Sequence, residues 1–138
     1  MKTLITFCIS LLTFASISQA QNATAHKIIF QLVTGDTTSH KVLMKQFGNI
    51  LSVAPNTKIE VVCHGPGIEM MMLEKSIVIN KIKEFKEKGV VFNVCEFSLK
   101  ERKVDKAKLI EQSSYVPAGI LEIVEKQEQG WSYIKAGL

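Results

Sequence analysis

Along this chain, short runs of β-branched and aliphatic residues alternate with longer stretches whose apolar positions recur every three or four residues. That alternation predicts parallel strands joined by crossover helices. The first run, 27–33, ends at the turn Thr34-Gly35-Asp36. Residues 37–53 carry Leu43, Phe47, Ile50 and Leu51 at the spacing of one helix face, and Pro55 stops them. A second strand is predicted over 59–63 and a loop over His64-Gly65-Pro66-Gly67. A helix over 76–88 then places Val78, Ile82 and Phe85 on one side, with Gly89 beyond its end. The third strand, 90–95, finishes on Cys95. Two short helical pieces over 98–110 follow, the second capped by Asp105. A brief strand over 113–116, a helix over 117–129 with Ile120, Ile123 and Val124 inward, and a strand over 132–135 complete the pattern.

Residues 1–20 stand outside it. Lys2 supplies a positive start, the stretch to Ile17 is largely apolar, and Ser18-Gln19-Ala20 offers small residues where a signal peptidase reads. The expectation is cleavage before Gln21, a single domain over 21–138, and a periplasmic or secreted protein. The apolar stretch is short for a bilayer span, so no membrane attachment is expected after cleavage. The formal net charge of +4 drops by one with Lys2 and is spread along the chain, too mild to argue a nucleic-acid partner. Of the three cysteines only Cys63 and Cys95 remain, in a compartment where thiols oxidise. They are open to one bridge or to two independent thiols.

Cys95 is the first candidate for chemistry. It stands near the carboxyl end of a predicted strand, and in open α/β sheets ligands bind in the crevice beyond those ends. A helix start just beyond it, with Ser98 as its cap, favours the thiolate. Lys100, Arg102 and Lys103 downstream add positive charge suited to anionic sulfur compounds, while Glu96 opposes ionisation. The alternative is a buried Cys packing as a small hydrophobe. His64 follows the second strand directly and would share the same sheet edge, as a partner of the thiol or as a polar loop residue. Strand alternation turns Cys63 to the opposite face, into the core.

Four blocks carry a resemblance. Ile59-Glu60-Val61-Val62 precedes a glycine-containing loop. Gly89-Val90-x-Phe92-x-x-Cys95-x-x-Ser98-Leu99 follows, then Val116-Pro117-Ala118-Gly119, and Gln127-x-x-Gly130-Trp131-x-Tyr133-Ile134-Lys135 closes the chain. In this order they resemble the DsrE/DsrF-like family across nearly all of the mature chain. The resemblance implies a three-layer α/β/α sandwich with a five-stranded, mainly parallel sheet, and a homo-oligomer, trimer or hexamer. It also implies sulfur carried as a persulfide on Cys95, exchanged with a donor or acceptor protein or a small sulfur compound. Departures are visible. Phe97 stands where many small relatives have Asn, and Glu96-Phe97-Ser98-Leu99-Lys100 replaces the small residues and Arg-Arg-Gly turn of the sulfur-relay members.

The expected site is therefore Cys95, with His64, Gly65, Gly67, Ser98 and Lys100 around it and no metal or cofactor. A second reading is a non-catalytic oligomeric small-ligand or soft-metal binding module using the His64 to Met72 loop. There Met70, Met71 and Met72 would serve as soft metal ligands or, preferably, as filler of a subunit contact shared with Phe97 and Trp131. No Gly-x-Ser-x-Gly elbow, His-Glu-x-x-His or P-loop is present, which removes the signatures of the common hydrolases and NTPases. Enzyme status stays open between a sulfurtransferase-like carrier and no catalysis.

Overall fold

The computed structural model describes residues 25–137, so the leader read at 1–20 lies outside the described residues. Strand β1 (Lys27–Leu32) leads into helix α1 (Thr37–Val53), whose N-cap Asp36 accepts the N–H groups of Thr38 and Ser39 at 3.3 and 2.7 Å. Strand β2 (Lys58–Cys63) runs into a 3₁₀ helix (Gly65–Met71), where a loop was expected, and then helix α2 (Ile79–Glu87). The helix expected from 76 starts later because the Ser76 hydroxyl takes the Val78 N–H and turns the chain first. Strand β3 (Val91–Cys95) passes directly into the short helix α3 (Glu96–Glu101). A 3₁₀ turn (Lys106–Lys108) capped by Asp105, strand β4 (Ser113–Val116), helix α4 (Gly119–Glu128) and strand β5 (Ser132–Ala136) follow.

The five strands form one parallel sheet in the order β4-β3-β2-β1-β5, so the α/β sandwich read from the sequence is the observed fold. The chain steps from β1 to β4 in one direction, and α4 then carries it back to the far side of β1. Right-handed crossovers put the helices of these opposite movements on opposite faces. On one face, Phe47 of α1 meets the rings of Phe30, Phe85 and Phe92 at 5.2, 5.7 and 6.2 Å, each edge to face. This is the main core, and Cys63, Ile68, Met70 and Met71 lie wholly buried in it. On the other face α4 covers a smaller cluster of Ile29, Val62, Val116 and Ile123, flanked by Trp131.

Two expectations are corrected here. Met70, Met71 and Met72 are core residues of the protomer, not a subunit contact or an exposed soft-metal tract. The 3₁₀ helix turns them inward because Gly67 lets the backbone pass against β1: a Cβ there would stand 2.1 Å from the Leu32 carbonyl oxygen. The inward stripe of α4 is also different. Ile123 is buried, but Ile120 and Val124 are 56 % and 42 % exposed. Gly119, Glu122, Ile123 and Lys126, at helical spacing, face the sheet instead.

Candidate functional site

The site is built where β3 and β4 end. After β3 the chain turns into α3, whose Leu99 joins the main core, while after β4 it turns into α4 on the opposite face. Neighbouring strands whose continuations diverge in this way mark, at their carboxyl ends, the place where open α/β sheets bind ligands. Cys95 stands there as the last residue of β3, paired in register with Val116.

The thiol is enclosed, with the residue only 5 % exposed. Burial pushes its pKa up, but the Gly119 N–H, which hydrogen-bonds to the sulfur, and the nearby dipoles of the Ser98 hydroxyl and of the Ser98 and Phe97 N–H groups outweigh burial and hold it below the ordinary thiol value. The Gly119 N–H lies 3.2 Å from Sγ. The contrast with Cys63 is sharp. That thiol has no exposure and its pKa is raised by burial with nothing offsetting it. The two cysteines are free and lie on opposite faces of the sheet, so no bridge joins them.

Helix α3 begins one turn earlier than expected. Cys95 itself occupies the N-cap and Ser98 sits inside the first turn, which corrects the reading of Ser98 as cap. From there its oxygen accepts the Gly65 N–H at 2.8 Å, tying the loop after β2 to the thiol. Gly65 has φ +51, a left-handed conformation that suits glycine.

Gly119 joins the parts. A Cβ placed on it would lie 3.0 Å from Val62 Cγ1, 3.2 Å from Cys95 Cβ and 3.3 Å from His64 Cβ. His64 and Cys95 thus border the same point at the start of α4, as their shared sheet edge led one to expect. His64 is half-buried, and burial lowers its pKa. Its Nε2 lies 2.8 Å from the Gln31 amide nitrogen, and Gln31 Oε1 accepts a hydrogen bond from the Tyr133 hydroxyl.

The remaining expected residues are not gathered at the thiol. Gly67 is buried against β1. Lys100 is exposed in the last turn of α3, roughly 7.5 Å further along the helix axis than Cys95. Arg102 is engaged by Glu69 at 2.9 Å, beside Lys75 at 3.0 Å. The opposing charge is engaged too, because Glu96 pairs with Lys106, which lies 4.3 Å above the Tyr115 ring. Backbone and hydroxyl donors, not lysine side chains, therefore favour the thiolate.

Sequence reasoning missed Gly119, Gln31 and Tyr133 as site residues. Gly119 was visible only as the end of the Val116-Pro117-Ala118-Gly119 block, while Gln31 carried one signal, a polar residue inside an apolar strand. Beneath α4, Glu60 is 2 % exposed, accepts from the Asn93 amide and pairs with Lys126 at 2.7 Å. Among the described residues no cluster of three or more His, Cys, Asp or Glu could hold a metal, and no helix is long and apolar enough to cross a membrane.

A model of the DsrE/DsrF-like family matches residues 11–136. Among solved structures, the chain is similar to a protein of unknown function from Methanobacterium thermoautotrophicum, with 25% identity and a TM-score of 0.75. That similarity covers 80% of this chain and 98% of the other. No curated protein matches the chain.

Proposed function

The chain belongs to the DsrE/DsrF-like family, a membership that ties it to sulfur metabolism, and from that premise we propose that it is an exported sulfur carrier acting through Cys95. The observation that carries the reading is the environment of Cys95. A buried thiol whose pKa is nonetheless lowered, at the strand ends where the chain diverges, is a poised nucleophile.

The chemistry needs no redox cofactor. The Cys95 thiolate attacks the sulfane sulfur of a polysulfide or of thiosulfate, forming a new S–S bond. The donor's own S–S bond breaks and its electron pair leaves on the shortened polysulfide or on sulfite. Cys95 is left as a persulfide, and attack of an acceptor thiolate on the outer sulfur returns the Cys95 thiolate. The donors of Ser98, Gly119 and Phe97 stabilise the thiolate before loading and again as it leaves. The thiol's low exposure fits a carrier that shields its sulfur between partners.

In this reading residues 1–20 direct export and are removed before Gln21, and the mature domain assembles with copies of itself. The test is intact-mass measurement of the mature protein purified without reductant, before and after polysulfide or thiosulfate. The expected result is a gain of one sulfur that dithiothreitol removes and that Cys95→Ser abolishes. No gain, with Cys95 resisting alkylation until the protein unfolds, would overturn it.

A further inference from the structure

His64, whose Cβ borders the same point as Cys95 Cβ, has one ring nitrogen already engaged by Gln31 of the adjacent strand, and Gln31 is held in turn from the strand beyond. Gln31 lies on β1, in register with Val62 of β2 on one side and Lys135 of β5 on the other. Tyr133 lies two residues before Lys135 on β5, on the same face by alternation. Its hydroxyl donates to Gln31 Oε1. That fixes the amide so that its nitrogen, 2.8 Å from His64 Nε2, presents an N–H to the ring. An amide nitrogen has no lone pair to offer, so Nε2 accepts and the ring proton of neutral His64 resides on Nδ1.

Resting on the carrier reading, we propose that Gln31 and Tyr133 are positioning residues that lock His64 as its Nδ1–H tautomer, so that it meets the anionic sulfur group at Cys95 as a neutral hydrogen-bond donor and not as a base. A base would need a free lone pair on the ring, and the Nε2 pair is taken. Ionisation of Cys95 is already served by Ser98 and three backbone N–H groups. The second sulfur, and the sulfite or polysulfide that departs, still need a donor of their own. A neutral donor stabilises both without fixing a cation against a persulfide that must later leave. Burial, which lowers the His64 pKa, keeps the ring in that neutral form.

The test pairs a spectroscopic readout with sulfur loading. Nitrogen-15 spectra of the imidazole rings in the mature protein at neutral pH should show His64 protonated on Nδ1. Gln31→Leu and Tyr133→Phe should each move the population toward Nε2–H, the form that histidine favours in water. Thiosulfate loading of Cys95 should fall roughly tenfold in His64→Leu, the worth of one hydrogen bond to an anion. His64→Asn, whose side-chain N–H can take the place of Nδ1–H, should restore most of it. A wild-type ring protonated on Nε2, or a tautomer unmoved in both Gln31→Leu and Tyr133→Phe, would overturn the lock. Loading as slow in His64→Asn as in His64→Leu would overturn the donor role. A wild type that takes up no sulfur would sink the carrier reading instead, and the ring spectra would still decide the lock.

Discussion

Cys63 and Cys95 end neighbouring strands, yet the thiol pKa is raised in one and lowered in the other, and the difference lies in which hydrogen-bond donors surround each sulfur. Ser98 is the side chain that makes it. Ser98→Ala should raise the Cys95 pKa, so the midpoint of its alkylation-versus-pH curve moves upward and the neutral-pH rate falls several-fold; an unmoved midpoint would mean that the backbone donors suffice. Gly119 makes a second test. Alanine there gains about 1 kcal/mol of helix preference but overpacks Val62, Cys95 and His64, which costs about 1–3 kcal/mol, so urea midpoints should fall. The same Cβ would push α4 from the sulfur, and alkylation at neutral pH should slow as the Gly119 N–H withdraws. At this scale the sequence made Cys95 legible because a thiol at the end of an apolar run is conspicuous. The link of His64 to Gln31 and Tyr133 was not legible, because a hydrogen-bond chain across three strands exists only once β5 lies beside β1 and β1 beside β2.

At the scale of elements, α4 supplies the thiol with a donor and is itself held by charge. Burial raises the Glu60 pKa above the usual carboxylate value, against the opposing pull of Lys126. An acid with a raised folded-state pKa adds most stability below its unfolded pKa and loses it as pH rises through the folded value. Removing the lysine enlarges that loss. Lys126→Met should therefore cost about 3–5 kcal/mol at neutral pH, where it strands a buried carboxylate, and markedly less at acid pH, where Glu60 takes up a proton. Adding Glu60→Gln should recover most of the neutral-pH loss. Denaturation curves at both pH values check this, and a deficit equal at both would assign the effect to lost packing of Lys126 on Trp131. The same pair explains why the inward face of α4 was misread. Helical periodicity locates the apolar side of a helix, which is the inner side only when the floor is apolar, and here the floor carries Glu60, Gln31 and Asn93. The strands and α1 were legible to within a residue or so, since β1, β2 and β3 feed an apolar core where alternation and burial agree.

The whole molecule is lopsided. One face of the sheet is covered by α1 and α2, while the other has α4 alone, and sheets of parallel strands are ordinarily buried on both faces. α4 turns apolar side chains outward beside its exposed Glu125, Gln127 and Glu128: Ile120, Leu121 and Val124 are each between 42 % and 56 % exposed, and Tyr133 on the same sheet face is 41 % exposed. These side chains are where the proposed self-assembly would make its contact, and a copy of the same chain would supply the complement through a symmetric or cyclic interface. This moves the expected assembly surface from the Met-rich segment, now in the core, to α4 and the β5 side. The mature protein should therefore scatter light as an oligomer. Leu121→Lys with Val124→Lys should yield monomers of unchanged circular dichroism, because both side chains already face solvent in the protomer. Met71→Lys should instead unfold the protein, since that side chain has no exposure. A monomeric wild type would end the assembly proposal. If the paired lysine variant stayed assembled, the contact would lie elsewhere, and the exposed side of α4 would be left for a sulfur donor or acceptor beside Cys95.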